Sequence, residues 1–141
     1  MTKLSYLGCN FKLPVSEIDS DDKVLITQDF PDEEDIENVK KHFSTKYVYE
    51  VFENDGSGIW FNQDYKREYS IRNLRSQEIF LRLCELLKPY LKEGDYCELY
   101  ICWSGEEGEN RNEKLDQTFI LDNTDINDIE IYEKTLLIIR K

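Results

Sequence analysis

The sequence is short of several things: in 141 residues it has one histidine, one methionine, three prolines and six glycines, and its 18 basic residues face 30 acidic ones. Each shortage excludes a class of function. A lone histidine leaves little material for nucleophilic catalysis, which needs a base held beside a serine or cysteine. His42 follows Lys40 and Lys41 near the end of an expected helix, where the negative end of the helix dipole favours a cation. No apolar run approaches the ~20 residues of a membrane span, and Met1-Thr2-Lys3-Leu4-Ser5 carries no export-signal core, so a cytoplasmic location is expected. The formal net charge of −12 argues against nucleic acid and anionic membranes as partners, because both select basic surface. Four cysteines stand at 9, 84, 97 and 102; Cys97 and Cys102 lack the second pair that a structural zinc site needs. Reduced thiols, no metal and no cofactor are the expectation.

What is present reads as one domain over 1–141. Residues 5–13 form a first strand stopped by Pro14, and 23–26 a second. A helix begins at Pro31, with Asp32, Glu33, Glu34 and Asp35 in its first turn and Ile36, Val39 and Phe43 as its apolar stripe. Residues 46–53 alternate as a strand, meet Asn54-Asp55-Gly56-Ser57-Gly58 and resume at 59–61 as a hairpin. A helix over 77–92, capped by Ser76, presents Ile79, Phe80, Leu83, Leu86 and Leu87 on one face, and Pro89 kinks or divides it. A second hairpin-like pair joins 95–104 to 117–122, and 129–132 and 135–140 end the chain as strands. Leu136 to Ile139 are apolar on both strand faces, which places that strand inside the sheet. The expected fold is α+β: a mainly antiparallel sheet of five to seven strands with two principal helices packed on one face.

The charge is uneven. Residues 17–37 carry −9 and 105–133 carry −8, while 38–92 carry +3. Clustering of this kind steers a basic partner and raises its association rate. The acids of 29–37 are partly accounted for by the helix start. Those of 105–116 follow a strand whose one face reads Cys97, Leu99, Ile101 and Trp103 and whose other reads Tyr96, Glu98, Tyr100, Cys102 and Ser104. If helices cover only the first face, tyrosines and a glutamate line an open surface running into the acidic loop; if both are covered, those tyrosines are core. Tyrosine beside carboxylate suits arginine and lysine.

Other chemistry fits less well. Asp122 to Glu130 suggests a calcium loop, but Ile126 stands where a ligand and Asn127 where a glycine is required. Trp60 and Trp103 stack on a sugar or anchor the core, the latter being usual within an apolar strand. Tyr96 through Glu107, with the acidic stretch behind it, gives this small acidic domain a character that resembles the immunity proteins of bacterial contact-dependent inhibition and related polymorphic toxin systems. That resemblance implies a non-catalytic protein that binds a cognate toxin domain, often a basic nuclease, and blocks it. No residue role transfers with it. The residues expected to meet such a basic partner are Glu98, Tyr100, Glu106, Glu107 and Glu109. The alternative is a regulatory or adaptor domain that recognises a small ligand or a housekeeping protein.

Overall fold

Strands form where aromatic and β-branched residues alternate, and helices where charged caps flank a 3.6-residue apolar period. The computed structural model describes residues 2–30 and 32–141, so the expected helix start at Pro31 lies outside the described residues. In chain order these hold β1 (Lys3–Cys9), β2 (Val24–Thr27), α1 (Glu33–Lys40), β3 (Tyr47–Glu53), α2 (Gln63–Glu68), α3 (Ser70–Leu87), β4 (Tyr96–Trp103), β5 (Gln117–Ile120) and β6 (Leu136–Arg140). The strands make one sheet in the order β2-β3-β1-β4-β6-β5. Every neighbouring pair is antiparallel except β5 and β6, which run parallel at one edge. The connection between those two makes a long crossover through a 3-10 turn at Ile126–Asp128, as parallel strands require.

The α+β class and the interior position of β6 are as expected, and the helix layout is not. α3 packs Ile79, Phe80, Leu83 and Leu87 on the face bearing Leu7, Val51, Leu99, Ile101, Leu137 and Ile139. α1 packs Val39 on the opposite face, against Tyr6, Val48, Tyr100, Cys102 and Leu136, with Phe30 and Phe43 beside it. The reason is that β6 is apolar on both faces and β4 adds Tyr100 and Cys102 on the second, so each face needs cover. Burying side chains of this size contributes about 1.5–3 kcal/mol each.

Several connections also differ from the sequence reading. β1 begins and ends earlier, at Lys3 and Cys9. Residues 59–61 do not return as a strand beside β3. Their neighbourhood is instead held by side chains: Ile59 N–H donates to Ser5 Oγ at 3.1 Å, Trp60 N–H to Ser76 Oγ at 2.7 Å and Asn62 N–H to Asn73 Oδ1 at 3.0 Å. Ser76 therefore sits inside α3 and does not cap it. α3 starts at Ser70 and stops at Leu87, so Pro89 lies past its end and kinks nothing. Strand β4 pairs with β1 and β6, not with β5. Residues 129–132 form no strand; Ile129 and Ile131 are buried, and Ile131 N–H donates to Phe61 O at 2.7 Å. Among the described residues no helix is long and apolar enough to cross a membrane.

Candidate functional site

The surface singled out in the sequence runs from β4 into the loop that follows it, and the structure divides its residues into two groups. Glu98, Tyr100 and Glu107 are 3%, 0% and 2% exposed, which removes them from any free contact surface. The open sheet face expected around Tyr96, Glu98 and Tyr100 is covered by α1 and by the segments on either side of it.

Glu98 Oε1 accepts hydrogen bonds from Ser44 N–H at 2.9 Å, Ser44 Oγ at 3.1 Å and Thr45 N–H at 3.1 Å. A carboxylate that satisfies two loop N–H groups is a structural clamp on the α1–β3 connection. Ser44 Oγ also meets Tyr96 OH at 2.8 Å. Tyr100 carries the His42 ring stacked on it, with centroids 4.0 Å apart, and its buried hydroxyl has no partner among the described residues. Burial pushes the Tyr100 phenol up, with the neighbouring Cys102 adding to the rise.

His42 does not serve as a cation at a helix end. Its Nε2–H donates to Glu107 O at 2.8 Å, and burial pulls its pKa down more than that hydrogen bond raises it. The stack and the hydrogen bond together pin the acidic loop to α1's C-terminal end. Glu107 Oε1 accepts from Gly105 N–H at 3.1 Å and Tyr6 OH at 3.4 Å. Burial raises the Glu107 carboxyl above its ordinary range; the backbone hydrogen bonds oppose the rise, and Asp35 of α1 adds to it. One residue on, Gly108 lies so close to α1 that a methyl there would stand 3.0 Å from Asn38 Cγ.

Glu106 and Glu109 do reach the surface. Lys134 Nζ lies 3.8 Å from Glu106 Oε1 and 2.9 Å from Glu109 Oε1, and Glu109 holds the lysine above its ordinary pKa. Arg111 is engaged by Asp116, with Nε to Oδ1 at 3.2 Å and Nη2 to Oδ2 at 3.1 Å. Beside this loop, α1 exposes Asp32, Glu33, Glu34 and Glu37, of which Asp32 caps the helix through Glu34 N–H at 2.9 Å and Glu37 meets Lys40 at 3.8 Å. Acids remote in sequence are thus brought to one side of the sheet. The other acidic stretch, 17–22, goes elsewhere: Asp22 grips Arg82 of α3, whose guanidinium holds the Asp22 carboxyl below its usual range.

The sequence reading missed the role of Glu98 and the His42–Tyr100 stack, and no local signal marks either, since both depend on partners more than 50 residues away in the chain. Cysteine chemistry is muted by burial. All four thiols are free and buried, and burial pushes Cys84 and Cys102 up to about 12. Among the described residues no group of three or more His, Cys, Asp or Glu is gathered to hold a metal ion. Comparison with protein-family models, curated proteins and solved structures finds no match to this chain.

Proposed function

We propose that this chain is an inhibitory binding protein of the immunity type: it captures a basic protein partner, a toxin domain, and denies that partner its substrate. The observation that supports this reading is the meeting of α1's exposed acids with Glu106 and Glu109 on one side of the sheet. The contact surface is accordingly Asp32, Glu33, Glu34, Glu106 and Glu109, and the buried Glu98, Tyr100 and Glu107 support it from beneath. Asp32, Glu33 and Glu34 form no ion pair within 4.0 Å among the described residues, so their charge is available to arginine and lysine. Held on a helix and on a loop pinned by His42, these carboxylates are already arranged before a partner arrives, which lowers the ordering cost of binding.

The test is affinity capture from the native cell at low and high salt, followed by association kinetics with the protein captured. A stoichiometric basic protein is expected, with an association rate that falls with ionic strength. The triple variant Glu34→Lys/Glu106→Lys/Glu109→Lys is expected to slow association roughly ten- to hundredfold with a smaller change in dissociation. An affinity indifferent both to salt and to the three reversals would overturn the electrostatic mechanism.

A further inference from the structure

The opposite face of the sheet holds a site of different character. Lys3 and Trp103 stand directly across β1 and β4, at the end of the α3 face where the apolar core runs out. The chain between β3 and α3 lays two more rings over the lysine. Its Nζ is 4.5 Å from the Trp60 centroid, 4.3 Å from Tyr65 and 6.0 Å from Trp103. Arg72 and Arg75 of α3, Glu53 at the end of β3 and Asp55 in the turn after it line, with the Trp60 and Tyr65 rings, a cavity of about 220 Å³.

The charges in this cavity do not cancel pairwise. Arg75 lies 4.0 Å from Glu53 and 3.9 Å from Asp55, so those three account for one another. Lys3 and Arg72 take no part in any ion pair or side-chain hydrogen bond among the described residues, in a chain with 30 carboxylates to offer. Aromatic faces soften a half-buried ammonium, but they accept none of its three N–H donors strongly. Burial lowers the Lys3 pKa, and Arg72's positive charge lowers it further, which places the two cations on the same space.

We propose that this cavity binds a small phosphate-class oxyanion, gripped by Lys3 and Arg72 beside the Trp60 and Tyr65 rings. Size supports that class, because 220 Å³ is about seven water volumes and falls below the usual ~300–1,000 Å³ of drug-sized sites. Charge supports it too. Three cations and two carboxylates give a net +1. A phosphoryl group carries about −1.5 to −2 at neutral pH and offers three acceptor oxygens. The third donor is at hand: Ser76 Oγ already accepts Trp60 N–H at 2.7 Å, which leaves its own proton free to give. A carboxylate ligand, with two acceptor oxygens, would leave one of the three donors unmatched. The site faces away from the acidic surface, so success or failure at one says nothing about the other.

Of the chain's two tryptophans, Trp60 lines the cavity and Trp103 packs beside it with ring centroids 5.7 Å apart, so intrinsic fluorescence reports on the site. The full chain is titrated with inorganic phosphate, glycerol phosphate, acetate and sodium chloride at matched ionic strength. A saturable change with one or both phosphates, absent with chloride and at least tenfold weaker with acetate, is expected. The tighter of the two phosphates identifies whether the ligand is the free ion or an ester. Arg72→Gln, at an exposed helix position, and Lys3→Met are each expected to weaken the titration at least tenfold, with far-UV circular dichroism unchanged for Arg72→Gln. No saturable change with either phosphate, an equal change with acetate or chloride, or undiminished binding by Arg72→Gln would overturn the proposal.

Discussion

Glu107 shows how one side chain ties stability to pH. Its native pKa lies above the ordinary carboxylate value because burial resists ionisation, so the unfolded state gives up its proton first as pH rises. The stability this group contributes is therefore full below the ordinary carboxylate range and is lost as pH climbs through the native value. Glu107→Gln retains an acceptor for Gly105 N–H and Tyr6 OH while removing the charge. Its Tm at pH 7 should exceed that of the parent, and the gap should close as pH falls to the ordinary carboxylate range. Calorimetry at the two pH values decides; a gap that does not depend on pH would mean that charge is not the cause. At this scale the sequence was least legible. Alternation along β4 correctly separated Cys97, Leu99 and Ile101 from Glu98, Tyr100 and Cys102, but alternation gives two faces without saying which is wet. The answer came from Ser44, Thr45 and His42, whose contacts with β4 span over 50 residues of chain.

Among the elements, those with strong periodicity were legible, and their partners were not. The apolar face of α3 and the two-sided hydrophobicity of β6 follow from spacing alone. The first turns of α3 escaped notice because Ile71 and Leu74 point to solvent, 81% and 57% exposed, and break the amphipathic period. α2 is six residues with none buried, so it left no periodic trace. Strand pairing was misread because the turn chemistry at 54–58 marks a turn without specifying a returning strand. Two contrasts test the packing. Leu83→Ala, at a fully buried position of α3, should cost about 2–5 kcal/mol in urea denaturation, whereas Leu74→Ala should stay within roughly 0.5 kcal/mol. Gly8 of β1 tests the cover on the other face. A methyl there would overlap Thr45 Oγ1 and stand 2.9 Å from Phe43 Cγ, so Gly8→Ala should lose about 1–3 kcal/mol. Similar denaturation midpoints for Leu83→Ala and Leu74→Ala would contradict the face assigned to α3.

For the whole molecule, a charge of −12 opposes compaction, and the assembly of α1 with the 105–110 loop concentrates that opposition. The surface ion pairs offset little of it, since exposed pairs contribute about 0–1 kcal/mol. Raising sodium chloride from about 10 to 300 mM should therefore raise Tm by a few degrees as the Debye length falls from ~30 Å to under 10 Å. A fall in Tm would show that attraction within the ion pairs outweighs the repulsion. The strand order carries a consequence for how the chain reaches its fold. β1 precedes the other five strands of the sheet in the chain, yet it lies in the middle, paired on one side by β3 and on the other by β4. At about 5–20 residues per second on the ribosome, β1 waits on the order of 5–20 s for β4 to be synthesised. Until then its second edge, from Lys3 to Gly8, stays unpaired and open to other chains. Closure across so long a loop makes this a slow-folding topology for its size, which prolongs the exposure of that edge.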